Sequence, residues 1–213
     1  MPSITRRRAL SGAAALLTGF AGCSGESSSS SSYPPDATGN VELNPESYTL
    51  RNPERAPTVW TGERPTPREG EDRVHRRHHL FVTSADEAGA VAFADVDGAA
   101  AAREFLETTD YDAATVYVEQ QQVGACFTSD LCSIQWSESD VQTNYSRRYR
   151  DVDVRCETDD EDVLAVLIRI PEAFDPSDIN GYGSSRGSGT CERENERIRR
   201  RRNASDGAGG ESR

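Results

Sequence analysis

Few residues in this chain have the types and spacing that chemistry requires. Gly183-Ser184-Ser185-Arg186-Gly187 fits G-x-S-x-G, the turn that exposes a nucleophilic serine. That turn needs a strand before it, a helix after it and a later histidine. No histidine follows His79, and glycine and serine surround the motif, so a flexible loop is expected. His75, His78 and His79 lie close together, but ligands on a strand should sit two apart. Adjacent His78 and His79 would point to opposite faces, so they read as ordinary histidines where a strand begins. Glu157, Asp159, Asp160, Glu161 and Asp162 lack the glycine and closing glutamate of a calcium loop. A solvated turn is expected there. No catalytic residue, metal site or cofactor is expected.

The five cysteines carry more information. Arg6-Arg7-Arg8 precede a short apolar run, Ala9 to Phe20, which closes on Ala21-Gly22-Cys23. Charge, short apolar core and small residues before a cut make a secretory signal. The run is shorter than the roughly 20 apolar residues that span a bilayer. The consecutive arginines fit a twin-arginine export signal. Phe20-Ala21-Gly22-Cys23 has the form of a lipobox, which makes Cys23 the lipid-attachment residue. Ser24 to Ser32 then supply a flexible tether. The other cysteines, Cys126, Cys132, Cys156 and Cys191, are even in number, as two disulfides require in an exported protein. Cys126 and Cys132 would be about 20 Å apart on an extended strand. They can bond only if Thr128-Ser129-Asp130 turns, so the pairing stays open. The spacing lacks the C-x-x-C pairs of common zinc sites.

The formal net charge is −12, and all 24 cationic side chains are arginine. So acidic a chain lacks the basic footprint of nucleic-acid binding. Arg147, Arg148, Arg150 and Arg155 cluster near Tyr145 and Tyr149; internal pairing with nearby acids is expected, against recognition of an anionic sugar or partner. Arg199 to Arg202 read as part of a solvated tail. Asn144-Tyr145-Ser146 and Asn203-Ala204-Ser205 are sequons, so Asn144 and Asn203 are glycosylation candidates in an exported chain.

The elements that must position these residues follow from periodicity. Residues 1–22 form the signal and 23–40 the lipidated cysteine and tether. Residues 41–77 form a proline-rich irregular arm, whose apolar pieces at 41–43, 48–50 and 58–60 could be brief strands, 78–192 a β-rich domain, and 193–213 a disordered polar tail. Within the domain, 78–83 and 91–93 read as strands. Ala99 to Glu107 reads as the main helix, capped by Asp97. Residues 114–121, 133–137 and 152–156 alternate as strands do. Val163 to Ile170 is a near-continuous apolar run, expected to be a central strand buried on both faces. Residues 177–190 read as loop. The expected fold is α+β and β-rich, a compact antiparallel sheet or sandwich with one main helix, held by disulfides.

The signal with Cys23, the segments Phe105–Tyr111, Leu131–Ile134, Arg150–Glu157 and Leu167–Pro171, and the lysine-free acidic composition together resemble a group of haloarchaeal exported lipoproteins of uncharacterised activity. The resemblance implies location, and acidity as adaptation to salt, since about 1 M salt shortens screening to about 3 Å. The expectation is a lipid-anchored module on the outer face of the cell membrane, binding a surface protein or solute. A surface hydrolase and a structural envelope component are the alternatives.

Overall fold

The apolar run at 163–170 organises the domain. The computed structural model describes residues 39–65 and 77–208. The signal, Cys23, most of the tether, residues 66–76 and the last residues of the tail lie outside them. Glu161–Ile170 (β9) lies inside a four-stranded antiparallel sheet, flanked by Ser47–Asn52 (β2) and Thr115–Gly124 (β6). Arg77–Val82 (β4) pairs with the far side of β6. Leu164, Val166 and Ile168 of β9 are fully buried or nearly so, and so are Ala165 and Leu167 between them. A strand covered on both faces needs no alternation, which is why this run reads as continuous.

What covers the two faces differs. Val116 and Val118 of β6 and Ala165 and Leu167 of β9 pack with Ala88, Ala102 and Leu106. These alanines and Leu106 come from Ala85–Ala90 (α1) and Ala99–Glu107 (α2). A two-stranded ribbon, Val59–Thr61 (β3) with Val91–Phe93 (β5), completes that layer. On the opposite face Tyr117, Val166, Ile168 and Ile170 pack with Ile134, Trp136, Val141 and Tyr145 of a second sheet. That sheet runs Asn40–Leu43 (β1), Phe127–Trp136 (β7), Asp140–Tyr149 (β8) and Gly181–Gly187 (β10). All pairings are antiparallel except β10 on β8, which is parallel. The fold is therefore β-rich α+β, a two-sheet sandwich with α1 and α2 on the outer face of the first sheet.

Several expectations are corrected. The three brief strands expected in the arm form as β1, β2 and β3, but they enter all three sheets instead of lying as an irregular arm on the core. There are three helices among the described residues instead of one. Ser84 caps α1 by accepting the Glu87 N–H at 3.2 Å, while Glu87 accepts the Thr83 N–H at 2.7 Å. Asp97 does not cap α2; Gly98 takes that position at φ 85°, where a Cβ would come within 2.7 Å of the Tyr48 hydroxyl. Residues 152–156 are not a strand: Val154 N–H turns back to the Asp151 carbonyl, and the side chain of Val152 is exposed. Residues 181–187, expected as loop, form β10 because the free edge of β8 offers a backbone ladder.

The tail from Arg193 is helical as far as Ala208, in Cys191–Ala208 (α3). Arginine and glutamate are good helix formers, and Glu194–Arg197 and Glu196–Arg200 pair one turn apart. The buried Asn195 amide also donates to Asn44 Oδ1 at 3.0 Å.

The disulfides are Cys126–Cys156 and Cys132–Cys191. Cys126 sits where the chain crosses from the first sheet to the second, between β6 and β7. Cys156 sits where it crosses back, between β8 and β9. Ala125 N–H to the Asp160 carbonyl and Arg150 N–H to the Cys126 carbonyl join the same two crossings. Cys132 is the extra residue of a bulge in β7, where the register shifts between Leu131 and Ser133. The bulge lets Leu131 and Ile134, three apart, both face the inter-sheet core.

The Cys132–Cys191 bond closes a loop of 59 residues in sequence separation and fixes the start of α3. Replacing both cysteines by serine should cost about 2–5 kcal/mol in urea unfolding. It should also speed amide exchange in 191–208 far more than in β6 and β9. Equal loss of protection everywhere would contradict the assigned role.

Candidate functional site

Alternation along β6 places Tyr117, Glu119 and Gln121 on the face toward the second sheet. In β8 the matching positions are Val141, Thr143 and Tyr145. Because β10 runs parallel to β8, its partners share their face: Tyr182 with Val141, Ser184 with Thr143, Arg186 with Tyr145. The toothed arrangement confronts a carboxylate with hydroxyls inside the sandwich.

Glu119 is fully buried. Its Oε2 accepts from Thr143 Oγ1 at 2.7 Å and from the Tyr145 hydroxyl at 2.9 Å. Thr143 also lies 3.4 Å from the Gly183 carbonyl. The other carboxylate oxygen, Oε1, has no hydrogen-bond partner, and neither have Gln121 Nε2 and Ser184 Oγ close by in the same register. These are three of six such buried side-chain atoms among the described residues. Gln121 Oε1 accepts from Arg186 Nε at 2.6 Å and again from Nη2. That double contact fixes the amide so that Nε2 is the free donor.

An aromatic stack closes the edge of this site. The His79 ring lies 4.7 Å from that of Tyr182 and 5.6 Å from that of Tyr117, nearly parallel to each. A hydrogen bond joins the Tyr117 hydroxyl to His79 Nδ1. Phe81 packs on Tyr117 and on Phe174. Tyr182 is 40% exposed and Tyr117 is fully buried, so the stack runs from solvent into the sandwich. Burial drives the Tyr145 phenol well above the ordinary tyrosine range, and the Glu119 charge and hydrogen bond add to it.

A hollow of about 940 Å³ opens where β1 begins, at the β7–β8 turn. Trp136, Phe174 and Ile179 line it together with Glu138, Glu172 and Asp178. Its carboxylate Glu172 is occupied, accepting from the Trp136 indole at 2.7 Å and the Asn40 amide at 2.9 Å. That hollow is the clamp that holds the first strand.

The sequence candidates fall in different places. Ser185 lies mid-strand in β10, its hydroxyl bonded to Asn144 Oδ1, in no turn of the nucleophile type. His75 lies outside the described residues, and His78 and His79 are successive positions of β4. Among the described residues no cluster of three His, Cys, Asp or Glu side chains is arranged to hold a metal. The acidic run meets arginine: Arg51 pairs with Asp162, Arg150 lies 3.8 Å from it, and Arg55 lies 3.7 Å from Asp160. Arg148 pairs with Asp130 at 2.6 Å, and Arg147 lies over the Phe127 ring. The Asn144 amide donates to Ser133 Oγ at 3.1 Å, so both ends of that sequon side chain are engaged in the sheet. Asn203 is exposed on α3. Sequence reading missed Glu119, Gln121 and Ser184 as a group. The available signal was four consecutive polar residues, Glu119 to Gln122, continuing a strand that is otherwise buried.

The fold and the cysteines together define a disulfide-stapled, β-rich α+β domain with a polar site between its sheets. Comparison with family models, with curated proteins and with solved structures finds no match.

Tyr145→Phe removes one of two donors to a buried carboxylate and should cost about 1.5–3 kcal/mol at neutral pH. The folded state keeps the phenol proton beyond the pH at which an unfolded tyrosine loses it, about 10. Stability should therefore fall as pH rises above that value. The variant should fall less steeply. Urea midpoints at pH 9 and 11 for both proteins read the difference, and parallel slopes would contradict it.

Proposed function

We propose that the chain is exported through its twin-arginine signal, lipid-anchored at Cys23, and acts on the outer face of the cell membrane as a binding module. The observation that carries this reading is the pairing of all four cysteines beyond Cys23 into two disulfides. Stable disulfides belong to oxidising compartments. Each joins segments that no backbone ladder joins, so they fit a domain built to keep its form outside the cell. The serine-rich tether after Cys23 supports a domain held off a membrane surface. The net charge of −12 supports a partner other than nucleic acid. The site for that partner is the polar face between β6, β8 and β10. It combines hydrogen-bonding groups with an aromatic edge, the usual make-up of a small-molecule site. A hydrolase reading finds no support at Ser185, whose hydroxyl is bonded to Asn144 and which sits in a strand.

Intact mass spectrometry of the protein extracted from its host's membranes tests the proposal. The expected species begins at Cys23, carries lipid mass, and gains four hydrogen atoms when its two disulfides are reduced. A chain that keeps Met1, without lipid and with free thiols, overturns it.

A further inference from the structure

The unpartnered atoms of the inter-sheet site describe what would satisfy them. Glu119 Oε1 needs a donor, Gln121 Nε2 needs an acceptor, and Ser184 Oγ can serve as either. Glu119 and Gln121 are 0% and 2% exposed, so neither demand is met by bulk solvent. Leaving such groups unmet inside a protein is costly, more so for a charged one. A cation would satisfy Glu119 and repel the Gln121 amide protons. An anion would meet the carboxylate charge. A hydroxyl meets both demands at once, because it donates through its hydrogen and accepts through its lone pairs. Two or three neighbouring hydroxyls would serve all three atoms. The edge of the site adds a flat aromatic surface, His79 stacked on Tyr182, against which the C–H face of such a molecule can lie.

We infer that the face formed by Glu119, Gln121 and Ser184 binds a small neutral polyhydroxylated molecule, of the polyol or monosaccharide class, admitted past Tyr182 between the edge strands β4 and β10. Tyr182 is the exposed member of the stack, and its strand is the edge of its sheet. Thr143 and Tyr145 are positioning residues: both hold Glu119 by Oε2, which turns Oε1 away from them.

The inference rests on the reading of the domain as a binding module and names its ligand class. Mass spectrometry tests the compartment and titration tests the ligand, so the two fail separately. The experiment is isothermal titration calorimetry on the full chain in detergent at high salt. The probes are glycerol, glucose, galactose, mannose and N-acetylglucosamine. At least one should bind saturably with one site per chain. Ser184→Ala, on an edge strand, should weaken it about tenfold, and Glu119→Gln, which keeps shape and removes charge, by at least as much. Tyr182→Ala should change the rate of heat development as well as affinity. Urea unfolding confirms that each variant is folded, and Ser184→Ala alone decides if Glu119→Gln does not fold. Absence of saturable binding across the panel, or binding indifferent to Ser184→Ala, overturns the inference and assigns the three atoms to internal water.

Discussion

Everything in this domain depends on one strand pair that has no solvent face. β6 and β9 pair along ten residues each and are covered by helices on one side and by a second sheet on the other. Burial on both faces removes apolar area from water, which stabilises the fold at roughly 25 cal/mol per Å². It also imposes a condition, because any polar side chain on these strands must find its partners inside the protein. Gln120 meets the condition fully. Its Oε1 accepts the Thr58 and Val59 N–H groups at 2.8 and 3.0 Å, and its Nε2 donates to the Val59 carbonyl. A single buried amide thus fastens the β3–β5 ribbon to the sheet. Asp162 meets it with Arg51 and Arg150. Glu119 and Gln121 each meet it with one polar atom of two, which sets them apart from Gln120.

The covalent links follow the weak points of this plan. A chain that leaves one sheet to build another must cross the core edge twice, and crossings lack ladder hydrogen bonds of their own. The Cys126–Cys156 bond joins those two crossings. The arginines that the sequence groups together are distributed around the same end, where Arg51 also donates to the Phe127 carbonyl at 2.6 Å and Arg150 to that of Ala125 at 3.1 Å. A chain with no lysine uses guanidinium forks to bind carbonyls and carboxylates together, which a point charge does poorly.

Periodicity made part of this legible. α2 was readable to the residue because four alanines and an apolar edge leave no competing structure, and β9 because only a doubly covered strand is apolar throughout. Ser84-x-x-Glu87 was a readable start for α1, obscured by the brevity of the helix. β8 was harder. Its inward positions are Val141, Thr143 and Tyr145, two of them polar, so the alternation is faint. β10 was not readable from local signals at all. Glycine and serine describe a loop unless a neighbouring edge demands a strand, and a Cβ at Gly183 would meet the Gln142 side chain at 1.7 Å. The candidate site shared that fate. Its residues come from three strands, and nothing local records that β10 lies parallel to β8. The cysteines told of oxidation but not of pairing, since the bulge that turns Cys132 to Cys191 is a tertiary event.

The parallel placement of β10 has a consequence for how the protein behaves among its own copies. Without β10, the sheet would end at β8, ten residues of open backbone able to recruit another chain. Proteins commonly guard such an edge with charge, a defence that fades as salt shortens the reach of electrostatics. Here the guard is a glycine-rich strip with little adhesive surface of its own, followed directly by a helix bolted to β7 through Cys132–Cys191. A covalent bolt is indifferent to ionic strength. Reduction would leave the same strip held to its sheet only by the ladder on β8 and the Arg186–Gln121 contact, both of them non-covalent.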